Sequence, residues 1–373
     1  MPASEAAIQA LVRQASAEGL GVRVAGTGHS FTPLVATDGV LVSLDAYAGV
    51  VAHDLGRTEA TVRSGTKLTA LGGELRALGL AMENLGDVDV QSLGGATGTG
   101  THGTGPTFGN LSSQITRLRL VTADGGIVTC DAESDPEAYL AARVSLGMLG
   151  IVSTLTLRLL PAYRLHERTR QIPWARCAEE MAAEIAVNEH FEFFWYPSTD
   201  ACACKTLNAT ALDPEEWAGA EGERLGWSAE IIPSVRSRRF NEMEYAIPAE
   251  RGPACFAEVR ALLRTRHPDV VWPVEYRTLA ADDAFLSPAY ARATVTISVH
   301  QDALLPYREF FAEVEAVFRA HEGRPHWGKH HTRTHAELRA LYPAWERFIA
   351  VRRRMDPEGR FLNDYLRGLF EDG

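Results

Sequence analysis

The sequence predicts an α+β fold in two domains. Three observations carry that reading: strands and helices follow one another in mixed order, an Asp-Gly-Gly turn at 124–126 joins two alternating runs into a hairpin, and the texture changes beyond Pro161. A length of 373 residues suits two domains, at roughly 100–200 residues each. The expected division is a mixed α/β domain over 1–165, an antiparallel-sheet domain over 166–342, and a tail over 343–373 that returns to the first domain.

A helix begins near Ser4, with Ile8, Leu11, Val12 and Ala15 on one face. VRVAG (22–26) reads as a short buried strand running into the loop GTGHSF, and GVLVSLD (39–45) and ATVRSG (60–65) as further strands. Leu68, Leu71, Leu75 and Leu78 form a helical stripe, and ITRLRLVTADGGIVTC (115–130) is the hairpin. A helix from Asp135 to Val144 leads into SLGMLGIVSTLTLRL, whose end is a β-branched strand. In the second half, HFEFFWYP (190–197) and ATVTISVH (293–300) read as strands of a separate sheet. Segments 253–265 and 305–321 read as amphipathic helices, the latter with Phe310, Val314, Val317 and Phe318 at helical spacing. From Pro343 the chain is mostly helical.

Composition narrows the function. With 46% hydrophobic and 23% charged residues, the chain has the balance of a soluble globular protein. A net charge of −11 argues against nucleic-acid and anionic-membrane surfaces, which reward clustered Lys and Arg. No stretch approaches the roughly 20 apolar residues of a membrane span, and MPASEAAIQA has neither region of a signal peptide. Five cysteines without a C-x-x-C fit reduced thiols, so a cytoplasmic setting is expected.

GGATGTGTHGTG (94–105) contains a literal G-x-G-x-x-G, Gly98 to Gly103. A dinucleotide fingerprint of that spelling needs a strand entering the glycines and a helix leaving them. DVDVQSLGGAT upstream and Thr104-Gly105-Pro106-Thr107 downstream supply neither, so an NAD site is not expected. So dense a run of small residues instead lets backbone N–H groups approach a large planar or phosphorylated ligand. HWGKHHTRTH (326–335) places His326/His330 and His331/His335 at i, i+4, but Gly328 interrupts the helix that this spacing needs and no acidic or cysteine ligand lies within the run. No metal is expected. Glu275 and Arg277 alternate, so on a strand they share a face.

GTGHSF (26–31), followed about 70 residues later by GTGTHGTG (98–105), resembles the FAD-binding half of the vanillyl-alcohol-oxidase superfamily. SLGMLGIV (145–152), EYR (275–277), PHWGKHH (325–331) and DPEGRFLNDYL (356–366) narrow the resemblance to the sugar-1,4-lactone oxidase and alditol oxidase family, colinearly over nearly the whole chain. The resemblance implies an FAD-binding first domain, a substrate cap and a tail on the flavin domain. It implies a covalent bond from His29 to the flavin, with Gly26, Thr27, Gly28 and Ser30 in the same loop. It further implies cofactor contacts from Ser92, Gly95, Gly98, Thr99, Gly100, Thr101 and Gly103, from Gly147, Gly150 and Ile151, and from Asn363. His102 is either a flavin-side contact or a hydrogen-bonded loop residue.

At the substrate end, the resemblance implies Glu275 orienting substrate, Arg277 stabilising oxyanion character and Lys329 beside the reacting hydroxyl, with His300 and His331 on the substrate side. Gly86, in NLGD (84–87), occupies the position of the small residue thought to admit oxygen in the superfamily. The expected reaction is oxidation of a carbinol of a polyhydroxylated small molecule, an aldono-1,4-lactone or an alditol, with O2 giving H2O2; a dehydrogenase with another acceptor, or a flavin-fold binding protein, are the alternatives. Relatives of the family begin with a further stretch and first strand, whereas this sequence starts at Pro2-Ala3-Ser4. Either the start is trimmed or an edge strand is lost, which would weaken FAD retention.

Overall fold

The computed structural model describes residues 1–234 and 238–371. Helix α1 (Glu5–Ala17) starts at Ser4, whose side chain accepts from the Ala7 amide, and buries Ile8, Val12 and Ala15. Strands β1 (Val22–Ala25) and β2 (Val40–Ser43) pair in parallel. Next come β3 (Val50–Asp54), β4 (Glu59–Arg63), α2 (Leu68–Ala77), β5 (Leu80–Ala81) and α3 (Leu93–Gly98). The hairpin β6 (Ile115–Val121) and β7 (Ile127–Asp131) precedes α4 (Pro136–Ala142), β8 (Ile151–Arg158) and β9 (Leu160–Pro161). Five of these strands form an antiparallel sheet in the order β3-β4-β8-β6-β7. Its apolar side chains, Leu118, Leu155 and Leu157 among them, join the Leu68, Leu71 and Leu75 stripe of α2 in one core.

The second half is a larger antiparallel sheet backed by helices. It comprises β10 (Arg164–Pro173), α5 (Trp174–Val187), β11 (His190–Tyr196), β12 (Ala201–Thr210), β13 (Glu223–Trp227), α6 (Ser228–Ile231), β14 (Phe240–Pro248), α7 (Gly252–Arg266), β15 (Val274–Leu279), β16 (Thr294–Asp302), α8 (Arg308–Ala320) and β17 (Arg324–Pro325). The strand order is β13-β10-β12-β11-β15-β16-β14-β17. Two-residue alternation divides its central strands sharply. Phe193, Tyr245, Tyr276, Ile297 and Val299 pack with Phe256 of α7 and Phe318 of α8 in a second core. The intervening residues, Glu192, Glu242, Glu244, Glu275, Arg277, Ser298 and His300, are polar and also buried. Helices α9 (His335–Leu341), α10 (Trp345–Met355) and α11 (Asp364–Phe370) cross back, and Leu338, Tyr342, Trp345, Phe348 and Leu366 enter the first core.

Two local expectations need correction. The glycine-rich run is not loop throughout: Leu93–Gly98 is the short helix α3, because Leu93, Ala96 and Thr97 are buried and the Thr97 hydroxyl donates to the Leu93 carbonyl. Packing outweighs the poor helix propensity of glycine there. The helix expected over 305–321 starts at Arg308, and Leu304 and Leu305 are exposed before it. Gly98–Gly103 leaves α3 and runs into extended and turn backbone, so the strand–turn–helix of a dinucleotide fingerprint is not formed.

Candidate active site

A cleft of about 180 Å³ lies between the loop after β1, helix α3 and the turn before β8. Gly26, Thr27, Gly28, His29, Ser30, Ser92, Gly95, Gly98, Thr99, Gly147, Gly150 and Ile151 line it. The walls touch closely: a Cβ on Gly26 would stand 2.4 Å from Ser92 Oγ. Gly150 has φ of +145°, a conformation open to glycine, which turns the chain into β8. Among the described residues, the amides of Thr27, Gly28, His29 and Ser30 have no protein acceptor. Unpaired amides beside small residues suit the pyrophosphate of a dinucleotide.

At His29, Ser30, Gln91 and Thr99 the cleft meets a second chamber of about 360 Å³. Its walls are the polar face of the large sheet, the loop carrying Gly86 and Asp87, Thr101, His102, His326 and Lys329. Lys329 Nζ lies 2.5 Å from Glu242 Oε1 and 2.9 Å from Glu244 Oε2. Arg277 Nη2 lies 2.9 Å from both Glu275 Oε2 and Glu244 Oε2. Burial alone would push Glu242 and Glu244 up, but Lys329 and the neighbouring histidines outweigh it and hold both below the ordinary carboxylate range. Burial likewise opposes the charge on Lys329 and Arg277, and the glutamates overcome it, so both stay cationic. Behind them, Lys205 Nζ is 2.6 Å from Glu192 Oε1, and Glu192 pairs in register with Arg277.

Most of the sequence-derived site converges on these two cavities. Glu275, Arg277, Lys329, His300, Gly86, Thr101 and His102 line the chamber. His331 does not: its Nε2 meets Tyr365 Oη at 3.1 Å and its ring packs on Trp327, because the turn after Lys329 directs it to the C-terminal helices. Asn363 caps α11 and its Nδ2 donates to the carbonyls of Pro33 and Ala36, outside the cleft wall. Gly100 and Gly103 also stand outside both walls, Gly103 packed against the backbone of Leu85. Trp327 is core, donating to the Leu286 carbonyl and stacking on Tyr342.

Glu242 and Glu244 were missed, although Glu-Met-Glu-Tyr in NEMEYAIP alternates just as Glu-Tyr-Arg does and carried the same signal. Glu242, Glu275 and His300 offer ligand atoms within 4.8 Å of one another, an arrangement able to hold a metal. Lys329 and Arg277 already bring positive charge to both carboxylates.

His326 gives a pH test. Burial and Lys329 lower its ring to about 3, and its Nδ1 accepts from the Gly328 amide. An unfolded histidine takes up a proton near pH 6.5, so stability is whole above that pH and is lost as pH falls toward about 3. At pH 4.5 the loss from this residue is about 3 kcal/mol. Urea unfolding at pH 7 and 4.5 is expected to show a smaller acid loss in His326→Gln than in the parent; equal losses would refute the assignment.

Residues 1–131 match the family model for the FAD binding domain, the cofactor for which the cleft amides are suited. The protein is therefore an FAD-dependent oxidoreductase acting on CH–OH groups. Residues 155–232 and 217–369 match the D-arabinono-1,4-lactone oxidase model, and the chain belongs to that family. Among its relatives is the L-gulono-1,4-lactone dehydrogenase of Mycobacterium tuberculosis, 40% identical over 98% of this chain and 94% of the relative. The L-gulonolactone oxidase of Bos taurus is 30% identical over 99% and 94%, and the alditol oxidase of a Streptomyces species 31% identical over 94% and 91%. The fold is shared with cholesterol oxidase from B. sterolicum, with a TM-score of 0.87, 17% identity, and coverage of 99% of this chain and 93% of that one. As in the family resemblance drawn from the motifs, the cofactor is FAD.

Proposed function

We propose that the protein oxidises a carbinol of an aldono-1,4-lactone, such as L-gulono- or D-arabinono-1,4-lactone, with dioxygen as acceptor and H2O2 as product. One observation carries the reading: among the described residues, Glu275 Oε1 is buried without a hydrogen-bond partner in a chamber that holds two fixed cations. That oxygen is placed to accept from a substrate hydroxyl. Arg277 and Lys329 donate toward the oxygen that loses its proton, and lower the cost of its developing negative charge. His300, hydrogen-bonded to Glu242 at 3.2 Å, completes the polar wall toward the sugar. Bound FAD supplies the hydride acceptor at N5. Relatives named for gulonolactone and arabinonolactone oxidation support the lactone class.

His29 stands where cleft and chamber meet and is our choice for covalent attachment. Desolvation holds its ring below the ordinary imidazole value, Glu242 opposing and Lys329 assisting, so the neutral, nucleophilic form prevails at neutral pH. After acid precipitation, flavin is expected in the pellet for the parent and in the supernatant for His29→Ala. Flavin released equally by both would remove the covalent link. Gly86 is our choice for the oxygen-admitting position, since a Cβ there would stand 3.2 Å from Thr101 Cγ2. The five cysteines are free thiols, as suits the cytoplasm, and among the described residues no helix is long and apolar enough to cross a membrane. We assign 1–165 to FAD binding, 166–342 to the substrate cap and 343–373 to the returning tail.

The relative named as a dehydrogenase favours a second acceptor, a dye-like or protein oxidant in place of dioxygen. A peroxide-coupled screen of aldono-1,4-lactones and alditols, run beside a dye-linked assay, tests both. Peroxide from a lactone is the expected result. Dye reduction alone would replace the acceptor, and turnover of alditols alone would replace the substrate class.

A further inference from the structure

His102 and Glu244 impose a constraint on each other. His102 Nδ1 lies 2.8 Å from the Gly103 carbonyl, and its Nε2 lies 2.7 Å from Glu244 Oε1. A carbonyl oxygen only accepts, so Nδ1 carries a hydrogen. In a neutral ring Nε2 would then present a lone pair to a carboxylate oxygen, which is repulsive at that distance. One additional proton must therefore lie between the two groups. The other oxygen of Glu244 receives three donors: Arg277 Nη2 at 2.9 Å, Ser298 Oγ at 2.5 Å and Lys329 Nζ at 2.9 Å. Two cations on that oxygen call for an ionised glutamate, which leaves the proton on His102.

The placement gives the pair its role. Lys329 reaches Glu242 and Glu244, and Arg277 reaches Glu275 and Glu244, so Glu244 is the partner common to both cations. Glu244 is 1% exposed and lies outside the chamber wall, so it acts through its neighbours. Its fourth donor, His102, belongs to the glycine-rich loop beside the cleft, whereas Arg277, Ser298 and Glu244 itself belong to the large sheet. We propose that Glu244 and His102 form an imidazolium–carboxylate pair and that Glu244, through it, is a positioning residue that holds the two substrate-facing cations in register with the flavin-side loop. The kinetic part rests on the oxidation proposed above; the protonation part stands apart from it.

Glu244→Gln separates the roles while preserving packing. Its amide nitrogen donates to His102 Nε2, leaving a neutral ring with hydrogen on Nδ1, and the summed charge of the pair is unchanged. The test uses the holoenzyme labelled with ¹⁵N-histidine, with His102 assigned by comparison with His102→Gln. Both ring nitrogens of His102 are expected to be protonated at neutral pH in the parent, and only Nδ1 in Glu244→Gln. Anaerobic flavin reduction by the lactone or alditol identified in the screen is expected to slow about 10²-fold in Glu244→Gln at unchanged FAD content, since displacements near 1 Å cost about that much. Glu244→Asp, which keeps the charge, is expected to recover part of the rate. A neutral His102 in the parent overturns the proposal whether or not the variant folds, and so does a parental reduction rate in Glu244→Gln. If no sugar reduces the flavin, the substrate assignment fails, while the nitrogen measurement, which needs no substrate, still decides the pair.

Discussion

Arg277→Lys is expected to lower kcat/KM by about 10²–10³-fold, and Arg277→Met to destabilise the fold by about 3–5 kcal/mol. Arg277 is 5% exposed and meets Glu275 and Glu244 at 2.9 Å each, with Glu192 opposite it on β11. Lysine keeps the charge but not the planar fork, so it serves one carboxylate well and leaves the other short of a donor. On the role proposed for Arg277, the cation would then sit off the line toward the substrate oxygen, and the loss would fall on the transition state. Methionine removes the charge and strands buried carboxylates, for which breaking a buried pair is the relevant cost. Stopped-flow flavin reduction and urea unfolding measure the two effects. A lysine variant within threefold of the parent would mean that charge alone is what the site requires.

Gly103→Ala is expected to destabilise the protein by about 3 kcal/mol and to lower its FAD content. The new Cβ would lie 2.2 Å from the Leu85 carbonyl oxygen and 2.4 Å from Asn84 Oδ1. Neither neighbour yields easily. Asn84 Oδ1 accepts from the Leu85 amide, and the next residue, Thr104, is held by the Phe191 carbonyl and by His190. Relief requires the loop bearing Gly86 to part from the loop bearing Thr101 and His102, which are adjoining walls of the chamber. Gly73→Ala, in α2 and outside both cavities, is the control: with nothing within 4 Å of the new Cβ, its stability is expected at the parent's value or up to about 1 kcal/mol above it. Equal unfolding midpoints for the two variants would refute the packing argument.

Local pattern disclosed much of this fold and a definite part of the site. The α1 face, the α2 stripe and the Asp-Gly-Gly hairpin follow from short-range periodicity and turn chemistry, which is why they were legible. Helix α3 was not, because its stability comes from Leu93 and Ala96 entering a core built by distant residues. In the chamber, motif spelling located Glu275, Arg277 and Lys329, which the fold gathers from β15 and from the turn after β17. Motif spelling also enrolled His331, one residue past His330, and only the direction of the turn toward Tyr365 removes it. Glu242 and Glu244 show the opposite failure: Glu-Met-Glu alternates as Glu-Tyr-Arg does, but no motif drew attention to it. What alternation does not disclose is the partners of Glu244, which follow from the register that sets it opposite Ser298 on β16.

The crossing of the C-terminal helices bears on how the polypeptide is made. Arg23 of β1 donates to the Phe361 carbonyl, 338 positions later, and the Val22 amide donates to the Arg360 carbonyl. Translation at roughly 5–20 residues per second separates those partners by tens of seconds. Throughout that interval the nascent first half exposes the apolar surface that Trp345, Phe348 and Phe370 later cover. Vectorial synthesis thus leaves the amino-terminal unit unfinished until the segment around 345–370 has been made. Chaperone occupancy on ribosome-bound chains should accordingly persist until the segment around 345–370 has emerged.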